Sequence, residues 1–364
     1  MNTTRAASAR LGVLAGVLLL GALIFVSGCS NNSSNGTPLP GQKIFVTQDS
    51  GVSVFPLTAN GNVAPTATLS GAKTGLAGAH RLAFDTEFNG YVTNADTSTV
   101  TIYAPGTSGN ALPTAVISGA NTGLIVPFGI DLDSKNNIYV ANCGSCDDSD
   151  DSITVYAAGA TGNVAPLDVI SGDITGLDGP NGLALDGSGF IYVANEDGFT
   201  VTIYLPIAFG FVGNVPPAVT ISGADTGISR PHALVVDGAG NLYVTNGNAN
   251  SVTIYAAADI AAAITAGINS ILADVIPAPV DLAPEATIVG AATGLNNPNG
   301  IAFDDSGNFY VTNNLSSVMI YSAAKIAAAI KAGGNNNVAP VATITGANTG
   351  FTDVHGVNVQ SINQ

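Results

Sequence analysis

A unit of strand-forming residues recurs six times along the chain, and no other feature limits the fold so tightly. The tetrapeptide "YVTN" or "YVAN" stands at Tyr91, Tyr139, Tyr192, Tyr243 and Tyr310, with a looser copy, "FVTQ", at Phe45. Each is followed by a second β-branched run: "VSVF", "VTIY", "ITVY", "VTIY", "VTIY" and "VMIY". A Pro-containing segment such as "NVAPTATLSG" comes next, then a "TGL"-type loop, then "RLAFD", "GIDLD", "GLALD", "ALVVD", "GIAFD" or "GVNVQ". Short runs rich in Val, Ile, Thr and Tyr, bounded by Gly, Pro, Asn and Asp, read as strands joined by tight turns. Four strands per unit and six units make an all-β fold, a six-bladed β-propeller. The phase of the repeat adds a second constraint. The chain enters on the second strand of a unit, at Lys43, and leaves on a lone first strand, "HGVNVQ", beginning at His355. The C-terminal strand is therefore expected to join the first blade and leave the ring without an open edge. Residues 43–364 read as one domain.

The units resemble NHL-type repeats, and the resemblance runs from Lys43 to Ile362, with "PNGIAFDDSGNFYVTN" (Pro298 to Asn313) the fullest match. The resemblance implies the propeller. It selects no activity, because NHL propellers include scaffolds, lyases and lactonases.

Counting back five residues from the end of each first strand gives His80, Phe128, Asn181, His232, Asn299 and His355. The chain has only three histidines, and all three fall at this one repeat position. The start of the first strand lies innermost in a propeller, so these six residues are expected to ring the channel mouth. Neutral imidazole is a common zinc ligand, and Asn carbonyls suit calcium. His80, His232, His355, Asn181 and Asn299 are thus candidate ligands for a divalent metal, zinc or calcium. The bland reading is a polar ring that hydrogen-bonds channel water. Arg81 and Arg230 flank two of the histidines and are candidate contacts for a substrate carboxylate, or else members of surface ion pairs.

"RPHALVVD" (Arg230 to Asp237) looks like the strand of the peptidyl-hydroxyglycine amidating lyase in which a histidine holds zinc. "GPNGLALDGSG" (Gly179 to Gly189) looks like the segment of gluconolactonase-type propellers whose Asn binds the catalytic cation. The lactonase pattern also needs an axial Glu and Asp, and the ring contains no carboxylate. Asp85, Asp133, Asp186, Asp237 and Asp304 end their strands at the other face, where they are expected to cap turns.

The remaining features place the protein more than they explain it. Arg5 and Arg10 precede the apolar run "LGVLAGVLLLGALIFV", which reads as a secretory leader over residues 1–28. "VSGC" (Val26 to Cys29) resembles the lipobox of bacterial lipoproteins, which implies acylation of Cys29 and membrane attachment through lipid. Ser30 after that Cys implies sorting to the outer membrane. Residues 29–42 form a Ser/Asn/Pro tether. Only 9% of residues are charged and the formal net charge is −16, which excludes nucleic acid as a partner.

"NCGSCDDSDDS" carries Cys143 and Cys146, expected to form a local disulfide, and Asp147, Asp148, Asp150 and Asp151, expected to be a solvated acidic loop. Two alanine-rich stretches, Ala257 to Gly267 and Ala323 to Gly333, have Ile260/Ile264 and Ile326/Ile330 at helical spacing. The first stripe continues through Ile268, Ile271, Leu272 and Val275. Both helices are expected to pack on the face away from the ring. The expectation for function is an extracytoplasmic module that binds a protein or small molecule. The alternative is a metal-dependent lyase or lactonase-type enzyme.

Overall fold

The computed structural model describes residues 41–144, 150–314 and 316–361. Six sheets, antiparallel except for one short strand added to the fifth, are arranged as the blades of a propeller. In the first blade the C-terminal strand Val354–Ser361 is innermost, followed outward by Gln42–Gln48, Gly51–Pro56 and Ala67–Ser70. Ile44 sits opposite Val359 and Phe45 opposite Asn358, so the last strand closes the ring as the repeat phase requires. The strand begins at Gln42, one residue before the expected boundary.

Packing follows the repeat. The YVTN or YVAN strands of five blades are buried along their length, as in Ile138–Asn142 and Ile191–Asn195, and the clusters of buried side chains span neighbouring blades. The end-of-strand aspartates cap the following hairpins: Asp85 Oδ1 accepts from the backbone N–H groups of Glu87 and Asn89. The YVTN tyrosines complete this cap, with the hydroxyls of Tyr91, Tyr192, Tyr243 and Tyr310 donating to Asp85, Asp186, Asp237 and Asp304. The closing blade has Gln360 where the others have Asp, and Phe45 where they have Tyr. The cap and its tyrosine are lost together.

A second repeat-wide device holds the rim. The connection between the third and fourth strands of each blade forms a parallel bridge with the outer strand of the preceding blade: Gly109 with Leu69, Gly162 with Ile117, Gly213 with Ile170. The next residue clasps the same neighbour. Asn110, Asn163, Asn214, Asp281, Asn337 and Asn62 each accept, through Oδ1, the backbone N–H of Lys73, Asn121, Ile174, Asp225, Ala292 and Asn348. The glycine after each outer strand, in "SG" or "TG" except for "VG" at Gly290, makes room for this side chain. At Gly172 φ is +118°, and a Cβ would lie 2.6 Å from Asn214.

Helices α1 (Ala257–Leu272) and α2 (Ala323–Ala332) occupy the corresponding connections of the fifth and sixth blades. They bury Ile260 and Ile268, and Ile326 and Ala329, against the propeller, with Ile264, Ile271, Leu272 and Ile330 half-buried beside them. Val275 lies beyond the end of α1 and is 56% exposed, so the apolar stripe stops short of it. A short strand after α2, Gly334–Asn336, adds in parallel to the fifth blade.

Candidate functional site at the mouth of the axial channel

Each innermost strand is bulged where the ring residue stands: Ala79 pairs with Asn94 and Leu82 with Val92, leaving His80 and Arg81 opposite Thr93 alone. A bulge re-aims side chains, and here it turns the ring residues away from the ladder. The threonine of YVTN satisfies the backbone so displaced. Thr93, Thr245, Thr312 and Thr47 accept from the N–H after the ring residue of their own blade or, for Thr47, of the closing strand. The same hydroxyls donate to the carbonyls of Phe128, Asn299, His355 and His80 in the next blade.

The six ring residues form three groups. The rings of His355, His80 and Phe128 stack, with His80 centred 4.8 Å from His355 and 4.1 Å from Phe128. Asn181 and Asn299 turn their Oδ1 atoms to Arg81, whose Nη2 donates to them at 3.0 and 2.7 Å. His232 donates from Nδ1 to the Pro298 carbonyl at 3.0 Å and faces Glu196 Oε1 through Nε2 at 3.5 Å.

The sequence offered Arg81 as a candidate carboxylate contact but not its place across the axis, and it did not offer Glu196 at all. Four blades have glycine after the ring residue, since a Cβ at Gly182 or Gly300 would meet the backbone of the next blade at 2.7 Å. The second blade has Arg81, only 9% exposed, which crosses the channel and donates a third bond to the His232 carbonyl. The fourth blade reads "YVAN", so Ala194 lacks the hydroxyl that would serve that carbonyl, and Arg81 takes its place. Burial lowers the Arg81 pKa to about 10, with the nearby charge of Glu196 opposing the shift. Burial first, then Arg81, His355 and His232, push His80 well below 6.5, so its imidazole is neutral.

Glu196 is the carboxylate that counting along the first strands did not find. It follows "YVAN", and its oxygens meet Arg230 Nη2 at 2.6 Å and the side-chain amide of Asn181. Burial alone would raise its pKa, but the hydrogen bond and charge of His232, then Arg230 and Asn181, hold it at about 2. Arg230 forms an ion pair at the rim, half-exposed, with backbone φ of 54°.

This donor set does not fit a divalent cation. Parallel imidazoles present their in-plane lone pairs alongside one another, the Asn oxygens are occupied by a guanidinium, and that cation already holds the axis. A zinc site needs its ligands to converge at about 2.0–2.1 Å. Among the described residues, the ligand atoms that do gather belong to Asp49, Asp353 and His355, within 4.8 Å of one another beside the channel mouth, and His355 Nε2 already pairs with Asp49 at 2.9 Å. Cys29 and Cys146 lie outside the described residues, as do Asp147 and Asp148. Asp151 is not solvated as expected: it is buried and accepts the Gly179 N–H at 2.8 Å.

No protein-family model matches the sequence, and no curated protein matches it. The likenesses are to solved structures. A protein of unknown function from Bacteroides caccae superposes with a TM-score of 0.57 at 10% identity, covering 89% of this chain and 100% of that one. A chain of a nidogen/laminin complex does so with a TM-score of 0.56 at 16% identity, covering 88% and 98%. At these identities the likeness is of fold alone. The chain is a six-bladed β-propeller whose axis is plugged by a buried arginine.

Proposed function

We propose that the protein is a binding module and not a metal-dependent enzyme, and that it works outside the cytoplasm, anchored to the outer membrane by lipid on Cys29. The observation that carries this reading is that Arg81 holds the Oδ1 atoms of Asn181 and Asn299, while His232 and Arg230 hold Glu196. A general base for hydrolysis works best with a pKa near the working pH. Glu196, the carboxylate that pairs with His232 and Arg230 at the channel mouth, is held at about 2 by its partners. The tether between Cys29 and the first strand supports the anchoring, since it is long enough to hold the propeller off a membrane surface.

Purified protein supplied with zinc or calcium should turn over neither simple aldonolactones nor an α-hydroxyglycine peptide above the rate of buffer. Turnover that disappears in His232→Ala would overturn the binding reading. For the anchor, cells fed an alkyne-labelled palmitate should label the protein, and Cys29→Ser should abolish the label.

A further inference from the structure

Below the plug, the channel widens into a cavity of about 670 Å3 that opens on the face carrying the helices. This lies within the roughly 300–1,000 Å3 of small-molecule sites. Ile130, Leu183, Val235, Ile301 and Val357 from five different blades give it apolar walls, and α2 borders its opening through Ile326 and Ala327. Arg81 lies at its inner end. The three acceptors on Nη2 fix the guanidinium in place, while Nε and Nη1 are buried with no protein partner. A buried cation with unmatched donors is unfavourable unless an anion meets it, and charge-assisted bonds to a carboxylate are the strong way to do so.

We propose that this cavity binds a small monocarboxylate with an apolar tail, its carboxylate on Arg81 and its chain along the channel toward α2. Four aspartates also line the cavity, Asp131, Asp237, Asp304 and Asp305. Asp237 and Asp304 are engaged in their hairpin caps. Asp131 accepts the N–H groups of Leu132 and Leu185, and burial raises its pKa to about 6. The inference rests on the binding-module reading and gives that module a ligand class.

The test uses octanoate, with octanol and acetate as probes of the tail and the head alone. From Asn31 onward the chain contains just two arginines, Arg81 and Arg230, so 15N-arginine labelling gives two Nε–H signals. The ring closes on itself within residues 42–361, so the chain from Asn31 contains the whole propeller. Octanoate should shift the Arg81 signal and leave Arg230 in place, and should bind at least about tenfold more tightly than either probe. Arg81→Met should abolish binding. Ala327 is exposed on α2 at the cavity opening, so Ala327→Trp should block entry without touching the core, keeping the wild-type melting temperature. The proposal fails if millimolar octanoate leaves the Arg81 signal unmoved, if octanol binds as well as octanoate, or if well-folded Ala327→Trp binds normally. Turnover of a lactone would instead overturn the binding-module reading and leave the octanoate result to stand by itself.

Discussion

The rim clasp and the axial ring are built from the same six-fold repeat and have opposite characters. At the rim, five Asn and one Asp make the same bond to the same backbone position in all six neighbours. At the axis, six equivalent positions carry His, Phe and Asn, and they form three different kinds of contact. A position that repeats without exception answers to the geometry of the blade. A position where the repeat breaks answers to something particular to one place in the ring, and Arg81, where four blades keep glycine, is the clearest break.

The largest effect should come from breaking the rim. Gly172→Val meets two obstacles, a φ of +118° and an Asn214 side chain 2.6 Å from the new Cβ. It should lose about 3 kcal/mol or more in urea denaturation. Gly119→Val, with φ +118° and Asn163 at 2.5 Å, should match it. Unequal losses at the two sites would mean that the rim is not the uniform structure its hydrogen bonds describe.

Next in size is the acidic member of the axial site. Glu196 has its folded pKa lowered from 4.5 to about 2, so its contribution is full above the unfolded value and is lost as pH falls through about 2. Glu196→Gln should therefore cost up to about 3 kcal/mol at neutral pH and almost nothing near pH 2. Melting curves of both proteins across that range test it. A difference that stays constant with pH would show that the carboxylate's charge is not what Arg230 and His232 stabilise.

A milder test of the rim is removal of single clasps. Asn110→Ala and Asn163→Ala each delete one hydrogen bond at an exposed site and should each cost about 1 kcal/mol. Equal values would again mark the rim as architecture, and a tenfold spread in unfolding constants between the two would not.

How much of this was legible follows the same division. The propeller and its closure could be read because strand runs, turns and phase are local and repeated, as in "PNGIAFDDSGNFYVTN". The ring positions could be read by counting. What the ring residues touch could not. Arg81 reaches Asn181 and Asn299 across 100 and 218 residues, and only the closed ring brings them together. The signals that existed were departures from the repeat: Arg in the glycine column at Arg81, Ala for Thr at Ala194, and Glu after "YVAN" at Glu196. The rim clasp was hidden for the opposite reason, since the "GN" that four blades carry before a "P" looks like ordinary turn chemistry until the neighbouring blade is in place.

The smallest stability effect should fall at the most conspicuous residue. Arg81 makes three hydrogen bonds, and by the logic of the rim its loss should be severe. Its burial argues otherwise. Desolvating a guanidinium offsets what those bonds return, and hydrophobic replacement of buried charge is often neutral or stabilising. Arg81→Met keeps a long apolar stem in the channel while removing the charge and releasing Asn181 and Asn299, which are free to rehydrate from the mouth. We expect its stability to stay within about 1 kcal/mol of the wild type. A much larger loss would make Arg81 one more architectural residue, and the contrast between rim and axis would collapse. An unchanged melting temperature would leave a buried cation that the fold does not need, which is the mark of a residue kept for what it binds.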